Sequence, residues 1–235
     1  MIDLLIPCFN EDKNVESLVK QWSKILKIDR RIHVSFINNG SSDSTYSLLN
    51  KYINTLNDSN MKIVNVQTNR GYGYGLKMGL EKTNHKYVAW THADLQVGSE
   101  DVLKLIDNYL ESNNKDALLM MGRRQKRTLV DKFFTSMMSI FTFFLTGYLL
   151  FDINSQPKVF PRNLLENLDE LPNDFNLDLG LLLIAKKNKF EIKLKDLVFH
   201  KRISNSPKGG GSFIGKIKLS LSTLKYLLRY FFKRF

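Results

Sequence analysis

Short apolar runs alternate with helical apolar stripes over the first 120 residues of the chain. Residues 2–6 read as a strand, after which Val15, Leu18, Val19, Trp22 and Ile25 repeat at the spacing of one helix face. Residues 34–37 give a second strand, followed by a polar loop and a helix from about residue 44. Residues 63–66 give a third strand, then a glycine-rich loop and a helix reaching about residue 82. A fourth strand spans 87–90, a further helix 102–110, and 117–121 is again strand-like. Strands alternating with helices predict an α/β domain with a mostly parallel central sheet flanked by helices. In such sheets ligands gather beyond the carboxyl ends of the strands. The loops PCFNED, NNGSSDST, TNRGYGYG and THADLQ follow the four predicted strands in turn, so they are expected to converge on one crevice.

Each loop has a chemical and a structural reading. In NNGSSDST, Gly40 permits a tight turn, and Ser41, Ser42, Asp43 or Ser44 is placed to cap the next helix. Asn38 and Asn39 stand at the strand end with amides suited to a base or ribose edge. Gly71, Gly73 and Gly75 neither follow the first strand nor keep the GxGxxG spacing, which argues against a Rossmann dehydrogenase. Gly71 and Gly73 instead read as positions where backbone approaches a ligand while a helix begins. In THADLQ, Asp94 offers a hard oxygen ligand, Gln96 a carbonyl and His92 a nitrogen, a mixture that suits Mn²⁺ better than Ca²⁺. The same three residues also fit an ordinary capped turn.

Taken together, IPCFNED, NNGSSDST, NRGYGYGLKMGL and HADLQ resemble the family 2 glycosyltransferases of the GT-A fold. The resemblance is to the dolichyl-phosphate mannose synthase and polyprenyl-phosphate glycosyltransferase group in particular. Order and spacing agree over about residues 1–100, with weaker echoes to about residue 212. The resemblance implies that Pro7, Phe9, Glu11 and Asn38 line the nucleotide. It implies that Asp94 and Gln96 hold Mg²⁺ or Mn²⁺ at the diphosphate. Two departures remove negative charge: Asn38 and Asn39 replace the acids of the second loop, and His92 replaces the first acid of the metal motif. Imidazole still ligates metal, so a modified metal site is expected rather than a lost one.

The second half adds basic and apolar segments. GRRQKR, residues 122–127, follows a strand-like run beside the crevice, and the resemblance places a phosphate-binding role at Arg123. Residues 133–151 carry no charge, and as a helix they would be about 28 Å long, close to a bilayer core. One crossing would put THADLQ and DINSQPK on opposite sides of the membrane. Thr135, Ser139, Thr142 and Thr146 form a polar stripe. Helices lying in the membrane interface, or a shallow re-entrant hairpin, are therefore expected, with a buried core helix as the alternative. From residue 213, Ile214, Ile217, Leu221, Leu224, Leu228, Phe231 and Phe235 make one face, with Lys218, Lys225, Arg229 and Lys233 elsewhere. Such a basic amphipathic helix suits an anionic membrane surface, or else another helix. Residues 1–212 are accordingly expected to form the catalytic domain, with an apolar interfacial segment at 128–151, and 213–235 the terminal helix.

DINSQPKVFPR resembles the family's acceptor-side loop, and Asp178 opens a helix where the family often has an acid. In HKRISNSPKGGGS, Arg202 and Lys208 beside three glycines read as a basic flap over a diphosphate, or as a plain linker.

Charge and cysteine usage narrow the partners. The chain of 235 residues has 35 basic and 23 acidic side chains, net +12, which favours anionic partners. The basic residues cluster beside apolar helices and no nucleic-acid motif accompanies them, which argues against nucleic acid. Cys8 is the only cysteine, so no intrachain disulfide forms, consistent with a reducing compartment. MIDLLIPCFNED reads as a first strand rather than a signal peptide. The expectation is an inverting glycosyltransferase at the cytoplasmic face of a membrane, peripheral or monotopic. Its partners would be a nucleotide-diphosphate sugar, Mg²⁺ or Mn²⁺, and a polyprenyl phosphate or other lipid-linked acceptor. Asp94, Asp178, Arg123 and Arg202 would be catalytic, with Asp178 accepting a proton only if the acceptor is a hydroxyl, and Lys208 would assist at the nucleotide. Transfer to a surface-glycan hydroxyl, or a catalytically weak nucleotide-binding relative, are the alternatives.

Overall fold

The computed structural model describes residues 1–124, 128–166, 168–200 and 213–234. Among these, one mixed sheet runs β3 (Met61–Val66), β2 (Ile32–Asn39), β1 (Ile2–Cys8), β4 (Tyr87–Trp90), β6 (Lys158–Pro161), β5 (Leu118–Arg124), β7 (Glu191–Leu197). Only β6 is antiparallel to its neighbours. That reversal has a functional consequence. The first residue of β6, Lys158, lies in register with Trp90 and Met121, at the edge where the parallel strands end.

Side chains alternate across the sheet and divide the core in two. Leu4 and Ile6 join α1 (Asp12–Ile28), α2 (Thr45–Leu56) and α4 (Ser99–Leu110), while Leu5 joins α3 (Tyr72–Glu81) and α6 (Leu177–Lys187). The periodicity of α1 is met, with Val15, Leu18, Val19, Trp22, Ile25 and Leu26 all buried. Sequence pattern missed two strands. β6 is only four residues long, and β7 is a half-exposed edge strand whose charged residues discourage further pairing. β2 also runs on through Asn38 and Asn39, which pair in register with Asn65 and Val66 and are strand rather than loop.

On the second face α5 (Leu129–Thr146) packs against α7 (Phe213–Arg234). α5 is turned inside out. Ser139, Thr142 and Thr146 are buried and donate to the carbonyls of Thr135, Met138 and Thr142 at 3.1, 2.8 and 2.6 Å. Leu129, Phe133, Ile140, Phe143 and Phe144 face outward. Only 17% of this apolar helix is buried, so the core-helix alternative is excluded. From α7, Leu227 is fully buried against the second core.

At the opposite end of the sheet, buried Asp3 accepts from His85 Nδ1, the His85 amide and Arg162 Nη2, each at 2.8 Å. Arg162 also donates to the His85 carbonyl at 2.7 Å and Thr83 Oγ1 at 3.0 Å, clasping β1, β4 and the end of β6. His33 stacks on His85 with ring centroids 4.2 Å apart, and its Nε2 is buried without a partner. Burial, then the neighbouring His85, holds the His33 imidazole below its ordinary value of 6.5, with Asp3 opposing and Arg30 and the N-terminal amine adding slightly. The fold therefore favours neutral His33. Stability should be complete above about pH 6.5 and decline below it, where the unfolded chain takes up the proton first. His33→Phe should flatten that decline, read as the difference in Tm between about pH 7.5 and about pH 5.5.

Candidate active site

The order β2-β1-β4 sets the first, second and fourth loops side by side, and hydrogen bonds lace the first two together. The amide of Asn10 donates to Ser41 Oγ at 3.1 Å, that of Ser42 to Asn10 Oδ1 at 2.8 Å, and that of Glu11 to Thr45 Oγ1 at 2.7 Å. Asp43 accepts from the amides of Asp12 and Thr45, at 3.3 and 2.9 Å. Asp43 and Thr45 thus hold the loops in place. Pro7, Phe9 and Glu11 lie partly buried at this edge, with Glu11 Oε2 accepting from Asn14 Nδ2 at 2.6 Å.

Asn38 and Asn39 are buried and largely engaged with protein. Asn38 Nδ2 donates to Asn65 Oδ1 at 2.7 Å, and Asn39 Nδ2 to the Gly71 carbonyl at 3.1 Å. Gly71 and Gly73 are approached closely by the protein's own backbone. A Cβ at Gly71, where φ is +113°, would lie 2.3 Å from the Asn173 carbonyl, and one at Gly73 2.4 Å from that of Pro172. They let α3 begin against the 172–174 segment, to which the Tyr74 amide donates at 2.9 Å.

The fourth loop turns sharply. Leu95, buried and branched, adopts φ +57°, a conformation costing about 1–3 kcal/mol that persists where surrounding contacts impose it. The bend separates Asp94, whose Oδ1 accepts from the Gln96 amide at 3.2 Å, from Gln96, which bonds His200 in both directions. Among the described residues no cluster of three or more His, Cys, Asp or Glu side chains is placed to hold a metal. One carboxylate, an imidazole and an amide nonetheless fit Mg²⁺ or Mn²⁺, since such ions take one or two protein carboxylates and complete their shell with substrate phosphates and water.

Beside this loop opens a cavity of about 290 Å³, bounded by His92, Gln96, Arg124, the 152–156 loop, α5 and α7. A buried polar network holds the 152–156 loop that bounds it. Lys158, with no exposed surface, lies 2.8 Å from Asp178 Oδ1 and donates to the carbonyls of Ile153 and Ser155 at 3.0 and 2.7 Å. Asp178 also accepts from Trp90 Nε1 at 3.2 Å and Gln156 Nε2 at 3.5 Å, and Gln156 reaches the Tyr72 hydroxyl. Burial pulls the Lys158 ammonium down, with Asp178 pulling it back, and burial raises the Tyr72 hydroxyl well above its usual range. Asp178 is thus buried and paired with Lys158.

Arg123 and Arg124 point to opposite sides of β5. Arg123, expected at phosphate, is exposed and forked onto its cross-strand neighbour Asp196 at 2.5 and 2.9 Å, which raises its pKa. Arg124 lines the cavity, with its guanidinium over the Phe199 ring and a buried Nε that has no partner. Sequence reasoning missed Arg124, Gln156, Lys158, Tyr72 and Trp90. Strand alternation separates the two arginines only once the register is known, and nothing in the sequence pairs residue 158 with residue 178. Arg202 and Lys208 lie outside the described residues.

These strand-end loops over a mostly parallel sheet define a GT-A-type α/β nucleotide-sugar fold. The family described as Glycosyl transferase family 2 matches residues 3–168, and the chain belongs to that family. Curated relatives include a dolichyl-phosphate beta-glucosyltransferase of Dictyostelium discoideum, 26% identical over 129 residues, covering 52% of this chain and 39% of the relative. A poly-beta-1,6-N-acetyl-D-glucosamine synthase of Staphylococcus aureus is 30% identical over 132 residues, covering 56% of this chain and 31% of the relative. The matched region thus spans well under half the length of these relatives. Among solved structures, glucosyl-3-phosphoglycerate synthase of Mycobacterium tuberculosis in complex with Mn²⁺, UDP-glucose and phosphoglyceric acid superposes with a TM-score of 0.70 at 18% identity. The match covers 97% of this chain and 79% of that one, and it shows the shared fold.

Lys158→Met should destabilise the protein by about 3–5 kcal/mol in denaturant unfolding, because it strands a buried carboxylate. Lys158→Met with Asp178→Asn should recover most of that loss, since Asn keeps an acceptor for the Trp90 indole.

Proposed function

We propose that the chain is an inverting glycosyltransferase that moves a sugar from a nucleotide-diphosphate donor to a polyprenyl phosphate at a membrane. The observation that carries the reading is the adjacency of a family-matched strand-end site to a cavity walled by two helices with exposed apolar faces. Pro7, Phe9 and Glu11 would line the nucleotide, with Asn38 and Asn39 fixing the strand end beside them. Asp94 would hold Mg²⁺ or Mn²⁺, with His92 and Gln96 beside it. That ion would neutralise the leaving diphosphate. The relative acting on dolichyl phosphate supports a lipid-phosphate acceptor, and the structural relative crystallised with Mn²⁺ and UDP-glucose supports the metal and the donor class.

The chain's own residues then have separate tasks. The acceptor phosphate enters the cavity, where Arg124, rather than Arg123, meets its charge through an unpartnered donor. An ionised phosphate oxygen attacks the anomeric carbon without a general base, which agrees with an Asp178 committed to Lys158. Arg202 and Lys208 are proposed over the diphosphate, as their basic, glycine-rich sequence suggests. Transfer to a glycan hydroxyl is the second reading, favoured by the N-acetylglucosamine synthase relative and by Asp131 and Asp152 on the cavity wall.

The membrane contact follows from α5 and α7. Phe133, Phe143 and Phe144 on one helix and Phe213, Ile214, Leu221 and Phe232 on the other are exposed apolar side chains on two helices that pack together. Lys218, Lys225 and Arg229 accompany them on a helix with no acidic residue, the charge pattern of binding to anionic lipid. Residues 1–212 are proposed as the catalytic domain and 213–235 as the membrane-binding helix. The reading puts the protein peripherally at the cytoplasmic face, which suits a chain whose single cysteine, Cys8, can form no intrachain disulfide.

Transfer from a panel of UDP-, GDP- and CDP-sugars should require both polyprenyl phosphate and a divalent cation, and Asp94→Ala should lower it by at least roughly 100-fold. Turnover that persists with chelator, or with the lipid phosphate omitted, would sink the reading. In co-sedimentation, the protein should bind vesicles containing anionic phosphatidylglycerol and not purely zwitterionic ones, and Phe144→Asp with Leu221→Asp should release it.

A further inference from the structure

A cation from α7, a helix beyond the family-matched region, faces the cavity. Lys216 Nζ lies 2.6 Å from Asp131 Oδ1, and both side chains line the cavity with Arg124. The two are partly exposed, at 22% and 31%, so the pair is wet enough to exchange partners. Asp131 does not depend on Lys216. Its Oδ2 accepts from Thr128 Oγ1 at 2.8 Å, and it stands in the first turn of α5, where the helix dipole favours a carboxylate. Among the described residues, four formal charges line the cavity: Arg124 and Lys216 against Asp131 and Asp152. With Asp131 on Lys216, an entering anion finds one cation already satisfied. Phe134, Met138 and Leu219 supply an apolar wall from the same two helices, next to their exposed apolar faces.

We propose that Lys216 is a specificity-determining residue for the acceptor phosphate, and that Asp131 occupies it until that phosphate arrives. A phosphate monoester on an alkyl chain displaces the Asp131 carboxylate, bridges Lys216 and Arg124, and lays its chain along the apolar wall. Asp131 sets the threshold, because weakly anionic or neutral head groups cannot displace it. The inference rests on the lipid-phosphate reading above.

The test uses the full chain, with farnesyl phosphate as the soluble acceptor, and follows KM for acceptor and for donor separately. Lys216→Gln should raise the acceptor KM about tenfold, the scale of one lost charge-assisted hydrogen bond, with the donor KM changed by less than about twofold. Lys216→Arg should restore most of the affinity. Asp131→Asn should lower the acceptor KM several-fold, an outcome that a purely structural tie between α5 and α7 would not give. Matched Tm values for all variants guard against misfolding. Wild-type turnover with an acceptor KM indifferent to Lys216→Gln would overturn this inference alone. So would an Asp131→Asn variant that weakens acceptor binding as Lys216→Gln does. Inorganic phosphate or farnesol competing as well as farnesyl phosphate would overturn the two-part recognition. Absence of both binding and turnover with wild type would overturn the lipid-phosphate reading and this inference with it.

Discussion

The ion pair between Lys158 and Asp178 is the constraint around which the second half of the molecule is arranged. Neither side chain has meaningful access to water, so each is held only by the other and by the groups that surround them. Satisfying the ammonium fixes the carbonyls of Ile153 and Ser155, and so shapes the loop that bounds the cavity. Satisfying the carboxylate fixes Trp90 at the end of β4, Gln156 on the loop and α6 from its first turn. One buried charge pair thus joins the strand that delivers His92 and Asp94 to the elements enclosing the neighbouring cavity.

The strand-end loops of the first half are organised differently. There the loops after β1 and β2 are bonded chiefly to one another, through Asn10, Glu11, Asp43 and Thr45. The third loop packs against the 172–174 segment because its glycines carry no side chain to prevent it. The second half of the chain is therefore pressed onto the first through backbone contact as well as through the ion pair. The replacement of acids by Asn38 and Asn39 makes sense in this setting. Both are buried, where their amide nitrogens donate to Asn65 and Gly71 and a neutral side chain avoids the desolvation a carboxylate would suffer, although Asn39 Oδ1 has no partner among the described residues.

α5 reverses the usual helix. Hydroxyls that bond back to their own helix need no partner from the core, so a polar stripe can be buried with its hydroxyls satisfied. The aromatic residues are thereby left outside, where an apolar surface has a use only against lipid or protein.

The sequence by itself determined the alternating fold of the first half, the convergence of its loops and the family. Each of these rests on local periodicity and on short motifs whose spacing survives without knowledge of the fold. It also exposed the polar stripe on α5, though not which way the stripe faces. Tertiary structure alone decided that Lys158 meets Asp178, that Arg124 and not Arg123 lines the cavity, and that Lys216 arrives there from α7. These depend on the antiparallel return of β6, on strand register and on helix docking. The physical reason is that partners distant in sequence are chosen by burial and charge compensation, which act only after the chain has closed on itself.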